Sequence, residues 1–249
     1  MKIKPFAVEE WMNAYEGGAR YNIAETCVDS VSLDELFSLA GEDKQAFLER
    51  FCARRLTYGD IVGSEALRKG ICGLYKSLGS DEVVPTHGAA GANYHVFCSL
   101  ISPGDGVVSI MPAYQQLYSI PEAIGADVRL MHLRQENGYL PDLDSIPEEV
   151  LKKTKYMIVS YPLNPVCVCA PDEFYEKLIA FAKKNEIVIL HDNAYSDITY
   201  GDKPGKSFLS FEGAKDVGVE FYSLSKSYNL TGARISFVVG NAEIIRKFK

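Results

Sequence analysis

The sequence predicts an α/β protein, a three-layer α/β/α arrangement around a mostly parallel central sheet. Three observations predict it. From about residue 83 onward, short apolar runs alternate with helical patterns. Several of those runs are apolar on both faces, as in Ile187-Val188-Ile189-Leu190, which marks strands covered above and below. Strand, helix and strand then follow one another often enough to require right-handed crossovers.

Taken in order, residues 1–80 are helix-rich, with helices expected over 8–15, 32–37, 43–53 and 64–78. They read as a segment that packs on the main sheet or on a partner subunit. Strands are expected at 82–85, 106–110, 127–132, 156–160, 187–191, 219–223 and 234–239. A helix over 89–101 stops at the breaker cluster Ser102-Pro103-Gly104-Asp105. Another spans 172–185, with Asp172 as its expected N-cap and Phe174, Leu178, Ile179 and Phe181 at helical spacing. The run Lys152-Lys153-Thr154-Lys155 reads as a solvated helix end.

Composition bounds the function. The 249 residues are 47% hydrophobic and 24% charged, which excludes a disordered chain. A net charge of −7 argues against nucleic acid or an anionic membrane as the main partner. No apolar run reaches the roughly 18 residues of a membrane span. The opening Met1-Lys2-Ile3-Lys4-Pro5 lacks the apolar stretch of a secretion signal, so a cytoplasmic protein is expected. Cys27, Cys52, Cys72, Cys98, Cys167 and Cys169 are scattered and read as reduced, buried thiols. Cys167-Val168-Cys169 is not a zinc-type pair, and no metal site is expected. His87, His95, His132 and His191 are expected to pack or cap, His191 also standing beside Asp192.

In an open parallel sheet, ligands sit outside the carboxyl ends of the strands. Those ends carry Tyr161-Pro162-Leu163-Asn164-Pro165, Asp192-Asn193-Ala194-Tyr195 and Ser223-Leu224-Ser225-Lys226. Thr86-His87-Gly88-Ala89-Ala90 opens a helix nearby. An amine, a carboxylate, a phenol, an amide, hydroxyls and a helix N-terminus would face one crevice. Pyridoxal 5′-phosphate needs this set: a lysine for a Schiff base, a carboxylate for its pyridine nitrogen, and donors for its phenolic oxygen and phosphate.

These motifs resemble those of class I/II (fold type I) aminotransferases. Ser223-Leu224-Ser225-Lys226 with Thr231-Gly232-Ala233-Arg234 resembles the family's lysine motif, Asp192-Asn193-Ala194-Tyr195 its D-x-x-Y, and Asn164-Pro165 its N-P-x-G. Tyr58-Gly59-Asp60 through Gly63-Ser64-Glu65-Ala66-Leu67-Arg68 resembles its entry motif, and Pro112-Ala113-Tyr114 its P-x-[YFW] segment. The match runs from about residue 20 to the end, in the family's order.

The resemblance implies a pyridoxal-phosphate enzyme moving an amino group between an amino acid and a 2-oxo acid. Lys226 would hold the cofactor and shuttle the proton between the substrate α-carbon and the cofactor. Asp192 would pair with the pyridinium nitrogen, and Tyr195 and Asn164 with the phenolic oxygen. Tyr114 would stack on the ring. Ala89 and Ala90 amides, Ser223, Ser225 and Arg234 would hold the phosphate. Tyr58 would reach the neighbouring subunit's phosphate, which implies a homodimer with shared sites. Residues 46–249 would form the cofactor-binding large domain, residues 1–45 an N-terminal segment, and the family's C-terminal small domain would lie outside this chain. Substrate choice would then fall partly to the segment Tyr21-Asn22-Ile23-Ala24.

Two departures stand out: Val166-Cys167 where the family has x-G, and His87 between Thr86 and Gly88. The stretch from Glu173 to Lys226 is most similar to the branch that includes LL-diaminopimelate aminotransferases. Glu10-Trp11, Pro85-Thr86-His87-Gly88-Ala89 and Pro103-Gly104-Asp105 also resemble capreomycidine synthase, so β-replacement with cyclisation is an alternative. An inactive truncated fragment is a third.

Overall fold

A computed structural model describes residues 1–23, 29–201 and 205–249. Cys27 and Ala24, named above, lie outside the described residues. Helices α1 (Ala7–Tyr15), α2 (Leu33–Ala40), α3 (Lys44–Cys52) and α4 (Glu65–Cys72) come first. Strand β1 (Val83–His87) leads into α5 (Gly88–Leu100), and β2 (Gly106–Met111) into α6 (Gln116–Ile124). Then follow β3 (Asp127–His132), α7 (Glu148–Leu151), β4 (Thr154–Ser160), α8 (Asp172–Asn185) and β5 (Val188–Asp192). The chain finishes with α9 (Ala214–Val217), β6 (Gly218–Ser223), α10 (Leu224–Ser227), β7 (Ile235–Gly240) and α11 (Ala242–Phe248).

The seven strands form one sheet in the order β1-β7-β6-β5-β4-β2-β3. Strands β3, β2, β4, β5 and β6 pair in parallel, while β7 runs antiparallel to both β6 and β1. Alternation along each strand divides the core in two. Leu190, Val219, Phe221 and Val238 face α5, α6 and α11, where Ala92, Val96, Phe97, Leu117 and Ile245 pack. Ile189, Met157, Phe237 and Val239 face α4 and α8, where Ile71, Phe174, Tyr175 and Leu178 pack. This is the three-layer α/β/α architecture the apolar runs predict.

Local chemistry explains several boundaries. Ser32 caps α2 in a reciprocal box with Glu35, and Asp43 and Ser64 cap α3 and α4. Helix α4 stops at Gly73 rather than continuing to residue 78. Asp172 is the first residue of α8 rather than its cap; Pro171 holds the cap position and Asp172 pairs with Lys206. Glycine-free apolar periodicity did not announce α6 because Pro121 sits inside it. Proline has no N–H, so the carbonyl four residues back, that of Leu117, loses its helical donor. The buried Ser109 hydroxyl on β2 donates to that carbonyl at 3.2 Å.

The thiols are not buried as the sequence suggests. Cys52, Cys98, Cys167 and Cys169 are exposed and Cys72 is half-buried, all of them free. His87 occupies the N-cap position of α5 without a side-chain cap bond, and His132 is exposed at the end of β3. Among the described residues no helix is long and apolar enough to cross a membrane, and no group of three metal-ligating side chains occurs.

Ser109→Ala should lower stability by about 1–3 kcal/mol, because the Leu117 carbonyl is left buried without a donor. The midpoint of urea unfolding should fall with its slope unchanged. Adding Pro121→Ala restores a backbone donor, so the double variant should recover part of the loss. Equal stability of Ser109→Ala and the parent would show that the hydroxyl does not carry this role.

Candidate active site

The parallel register brings the carboxyl ends of β4, β5 and β6 side by side. Ser160 on β4 lies across from Asp192 on β5, and Asp192 across from Phe221 on β6. Six of the residues singled out above hang from these three ends: Asn164, Asp192, Tyr195, Ser223, Ser225 and Lys226.

Asp192 is the last residue of β5 and is buried. Its side chain points to the α5 side of the sheet, where Asn93 Nδ2 donates to Oδ2 at 3.1 Å. Its Oδ1 has no hydrogen-bond partner among the described residues. Burial raises the Asp192 carboxyl above the ordinary carboxylate range, against the pull of the Asn93 amide and, less strongly, of the Ala194 backbone N–H. Such a group calls for a cation at its open oxygen.

Lys226 lies in the short helix α10, begun by Ser223, whose Oγ accepts from the Ser225 amide at 3.2 Å. Its Nζ stands 5.8 Å from the centre of the Tyr195 ring. The Tyr195 hydroxyl accepts from Asn164 Nδ2 at 3.4 Å. The loop behind Asn164 is closed by Leu163 N donating to Val168 O at 2.9 Å, with Cys167 N donating back to Leu163 O. Cys167 has φ +62°, a conformation glycine adopts freely and an L-residue does not. The departure from N-P-x-G therefore keeps a left-handed turn at that position, and Asn164 keeps its reach to Tyr195.

Tyr114 lies between β2 and α6, edge-on to Phe6 with ring centres 6.0 Å apart. Its hydroxyl donates to Glu9 Oε1 at 3.4 Å. Burial pushes its pKa up to about 12, with the charge of Glu9 adding to the effect and that of Asp192 and Tyr195 contributing less. Tyr114 thus lies near enough to Asp192 and Tyr195 to feel their charge.

The start of α5 supplies the opposite polarity. Ala89 and Ala90 lie in its first turn, where backbone N–H groups have no helical acceptor. Gly88 has φ +74°, and a Cβ there would come within 2.3 Å of Arg234 Nη2. The guanidinium is held against the glycine by a bond from Nη1 to Thr231 O at 3.1 Å. A helix N-terminus and an arginine fork on a glycine-bared backbone form an anion cradle. Tyr58 is the exception among the singled-out residues: it is 100% exposed and stands apart.

Sequence reasoning missed two contributors. Asn93 is a lone amide on the inward stripe Ala92-Val96-Phe97 of an otherwise apolar helix, and that misfit is the signal that could have found it. Glu220 is a carboxylate in the wholly buried strand β6. It accepts from Tyr75 Oη (2.9 Å), Ser207 Oγ (2.9 Å), Phe208 N (2.8 Å) and His191 Nδ1 (3.1 Å). His191 and Glu220 lie on the face of the sheet opposite Asp192, one residue along from it.

Residues 40–249 match the sequence model of the aminotransferase class I and II family. The LL-diaminopimelate aminotransferase of Syntrophobacter fumaroxidans is 39% identical over 194 residues, covering 76% of this chain and 50% of that protein. That of Aquifex aeolicus is 40% identical over 195 residues, again 76% and 50%. The chain spans about half the length of these curated relatives. A solved PLP-dependent aminotransferase from Streptococcus suis superposes with a TM-score of 0.91 at 37% identity, covering 100% of this chain and 65% of that one. BacF from Bacillus subtilis superposes at 0.83 with 30% identity, covering 99% and 64%.

Asp192→Asn removes the buried charge and keeps the shape. The raised carboxyl pKa means that the folded state holds its proton more tightly than the unfolded state. That contribution is present below the unfolded value of about 4 and is lost as pH rises through the folded value. Without ligand, Asp192→Asn should therefore melt above the parent at pH 7, by about 1–3 kcal/mol, with the difference closing towards pH 4. A variant that melts below the parent at pH 7 would show that the buried carboxylate is not an uncompensated cost.

Proposed function

This chain belongs to the class I and II aminotransferase family, and from that premise we propose that it holds pyridoxal 5′-phosphate and transfers an amino group between an amino acid and a 2-oxo acid. The observation that carries this reading is the meeting of Asp192, whose buried carboxylate has an open oxygen, with Lys226 beside Tyr195 and an anion cradle at Gly88–Arg234. A cationic ring and an anionic phosphate are the two ends such a crevice fits. When bound, pyridoxal phosphate supplies an aldehyde that condenses with amines and a ring that takes up the electrons of a carbanion.

The chain's own residues do the rest. Asp192 would hold a proton on the ring nitrogen, because its buried carboxylate is stabilised by a cation in contact with it. Tyr195 and Asn164 would hydrogen-bond the phenolic oxygen, and Tyr114 would stack on the ring. The amides of Ala89 and Ala90, the hydroxyls of Ser223 and Ser225, and Arg234 bind the phosphate. Lys226 Nζ would hold the cofactor's aldehyde carbon and would serve as the base for the substrate α-proton.

The active form is proposed as a cytoplasmic homodimer, a setting that suits five described free thiols. Tyr58, exposed here, would meet the neighbouring subunit's phosphate. The amino acid substrate would carry its α-proton to Lys226, and residues around Tyr21 would help select its side chain.

Adding pyridoxal phosphate should produce a visible absorbance band that shifts with a productive amino acid, accompanied by a 2-oxo acid. Borohydride should fix the cofactor to the peptide containing residue 226, and Lys226→Ala should lose both the band and the label. A label on another lysine, or an unchanged spectrum in Lys226→Ala, would overturn the assignment.

A further inference from the structure

On the face of the sheet opposite the Asp192 side chain lies a cavity of about 460 Å³. Its walls come from the loop after β5, the strand β6, the turn after α4 and the segment after Lys226. Asn193, 1% exposed, lines it, and neither Nδ2 nor Oδ1 has a hydrogen-bond partner among the described residues. Its backbone is fixed by Asn193 N donating to Phe221 O at 2.9 Å, so the amide cannot turn out to solvent without breaking the sheet edge. A buried amide left wholly unpaired in a polar cavity marks a missing partner.

The other groups facing this space are oxygens. Asp197 accepts from Tyr222 Oη at 2.6 Å and from Ser196 Oγ at 3.1 Å, both on Oδ2. Glu220 is already saturated by four donors, and Tyr75 spends its proton on it. Asp197, an exposed residue that also lines the cavity, takes both of these donors on Oδ2. Carboxylate, amide and hydroxyl oxygens suit hard cations, and the absence of any group of three His, Cys, Asp or Glu among the described residues disfavours a transition metal. With Glu220 turned to its four donors and most of the other lining oxygens neutral, an ion of low charge fits this space better than a divalent one.

We propose that this cavity binds a monovalent alkali cation through Asp197, the Asn193 side-chain oxygen and neighbouring hydroxyls, with water completing the shell. Asn193 follows Asp192 in the chain, and Ser227 and Tyr228, which line the same cavity, follow Lys226. The ion ties together the two strand-end loops that carry the site's carboxylate and amine. Its binding does not rest on the cofactor reading, since it acts on the chain alone.

The test is thermal unfolding of the cofactor-free chain in potassium, sodium or choline chloride at equal ionic strength. Potassium or sodium should raise Tm saturably by a few degrees over choline, as a ligand specific to the folded state does. Asp197→Asn should abolish the response. Should that variant fail to fold, Asn193→Leu serves: it removes the unpaired amide and should melt at the parent's value or above in choline, with no rise in potassium. No difference between the alkali salts and choline overturns the proposal, as does a rise that survives in the variant. Stabilisation by magnesium or calcium alone overturns the monovalent assignment. Loss of the visible cofactor band with an intact potassium response would count against the cofactor reading only.

Discussion

A carboxylate buried at the end of a parallel strand is the constraint on which the site depends. Taking Asp192 out of water costs free energy that the Asn93 amide and the Ala194 N–H do not fully return. The strand alternation that aims Asp192 at α5 also aims His191 at the opposite layer, where Glu220 accepts a hydrogen bond from its Nδ1. Two buried carboxylates thus stand on adjacent strands with the sheet between them. The one on the α8 side is met by four donors, and the one on the α5 side is left with an open oxygen. That asymmetry separates a structural carboxylate from one kept ready for a positively charged partner.

Two groups of opposite polarity are tied to α5. One is the Asp192 carboxylate that Asn93 meets; the other is the first turn of α5 with the Arg234 fork over Gly88. Arg234 itself takes φ +53°, and this left-handed residue turns the chain from the lysine segment into β7. The antiparallel course of β7 returns that segment to the edge where α5 begins. Sheet topology, rather than sequence proximity, therefore places the arginine against the glycine.

Much of this was readable in the sequence because it rests on local regularities. Strands covered on both faces are continuously apolar, so their positions emerge to within one or two residues, and the strand ends then point to Asn164, Asp192 and Lys226. What was not readable depends on what faces a residue across the fold. Helix α6 hides behind Pro121 because its rescue comes from Ser109, eight residues before Leu117 in another element. Asn93 and Glu220 look like misfits in apolar segments until Asp192 and His191 are seen beside them. The thiols misled for a related reason: cysteine types tend to be buried, but here Cys52 and Cys98 sit on outward helix positions and Cys167 and Cys169 on an exposed loop.

The first 62 residues obey a different balance. Helices α1, α2 and α3 contain no buried residue, and their firmest tie to the sheet is the strap from Lys4 to Glu9. There Lys4 pairs with Glu122, Gln115 binds both the Ala7 amide and the Pro5 carbonyl, and Phe6 meets Tyr114. Beyond it, Leu56, Tyr58 and Ile61 stand almost fully in solvent. Ordering such a stretch costs roughly 1–2 kcal/mol of backbone entropy per residue, which local turns alone do not offset. Apolar side chains exposed in sequence call for a covering surface. A neighbouring subunit would supply one, and it would bring Tyr58 out of isolation and into the crevice that the strand ends leave open.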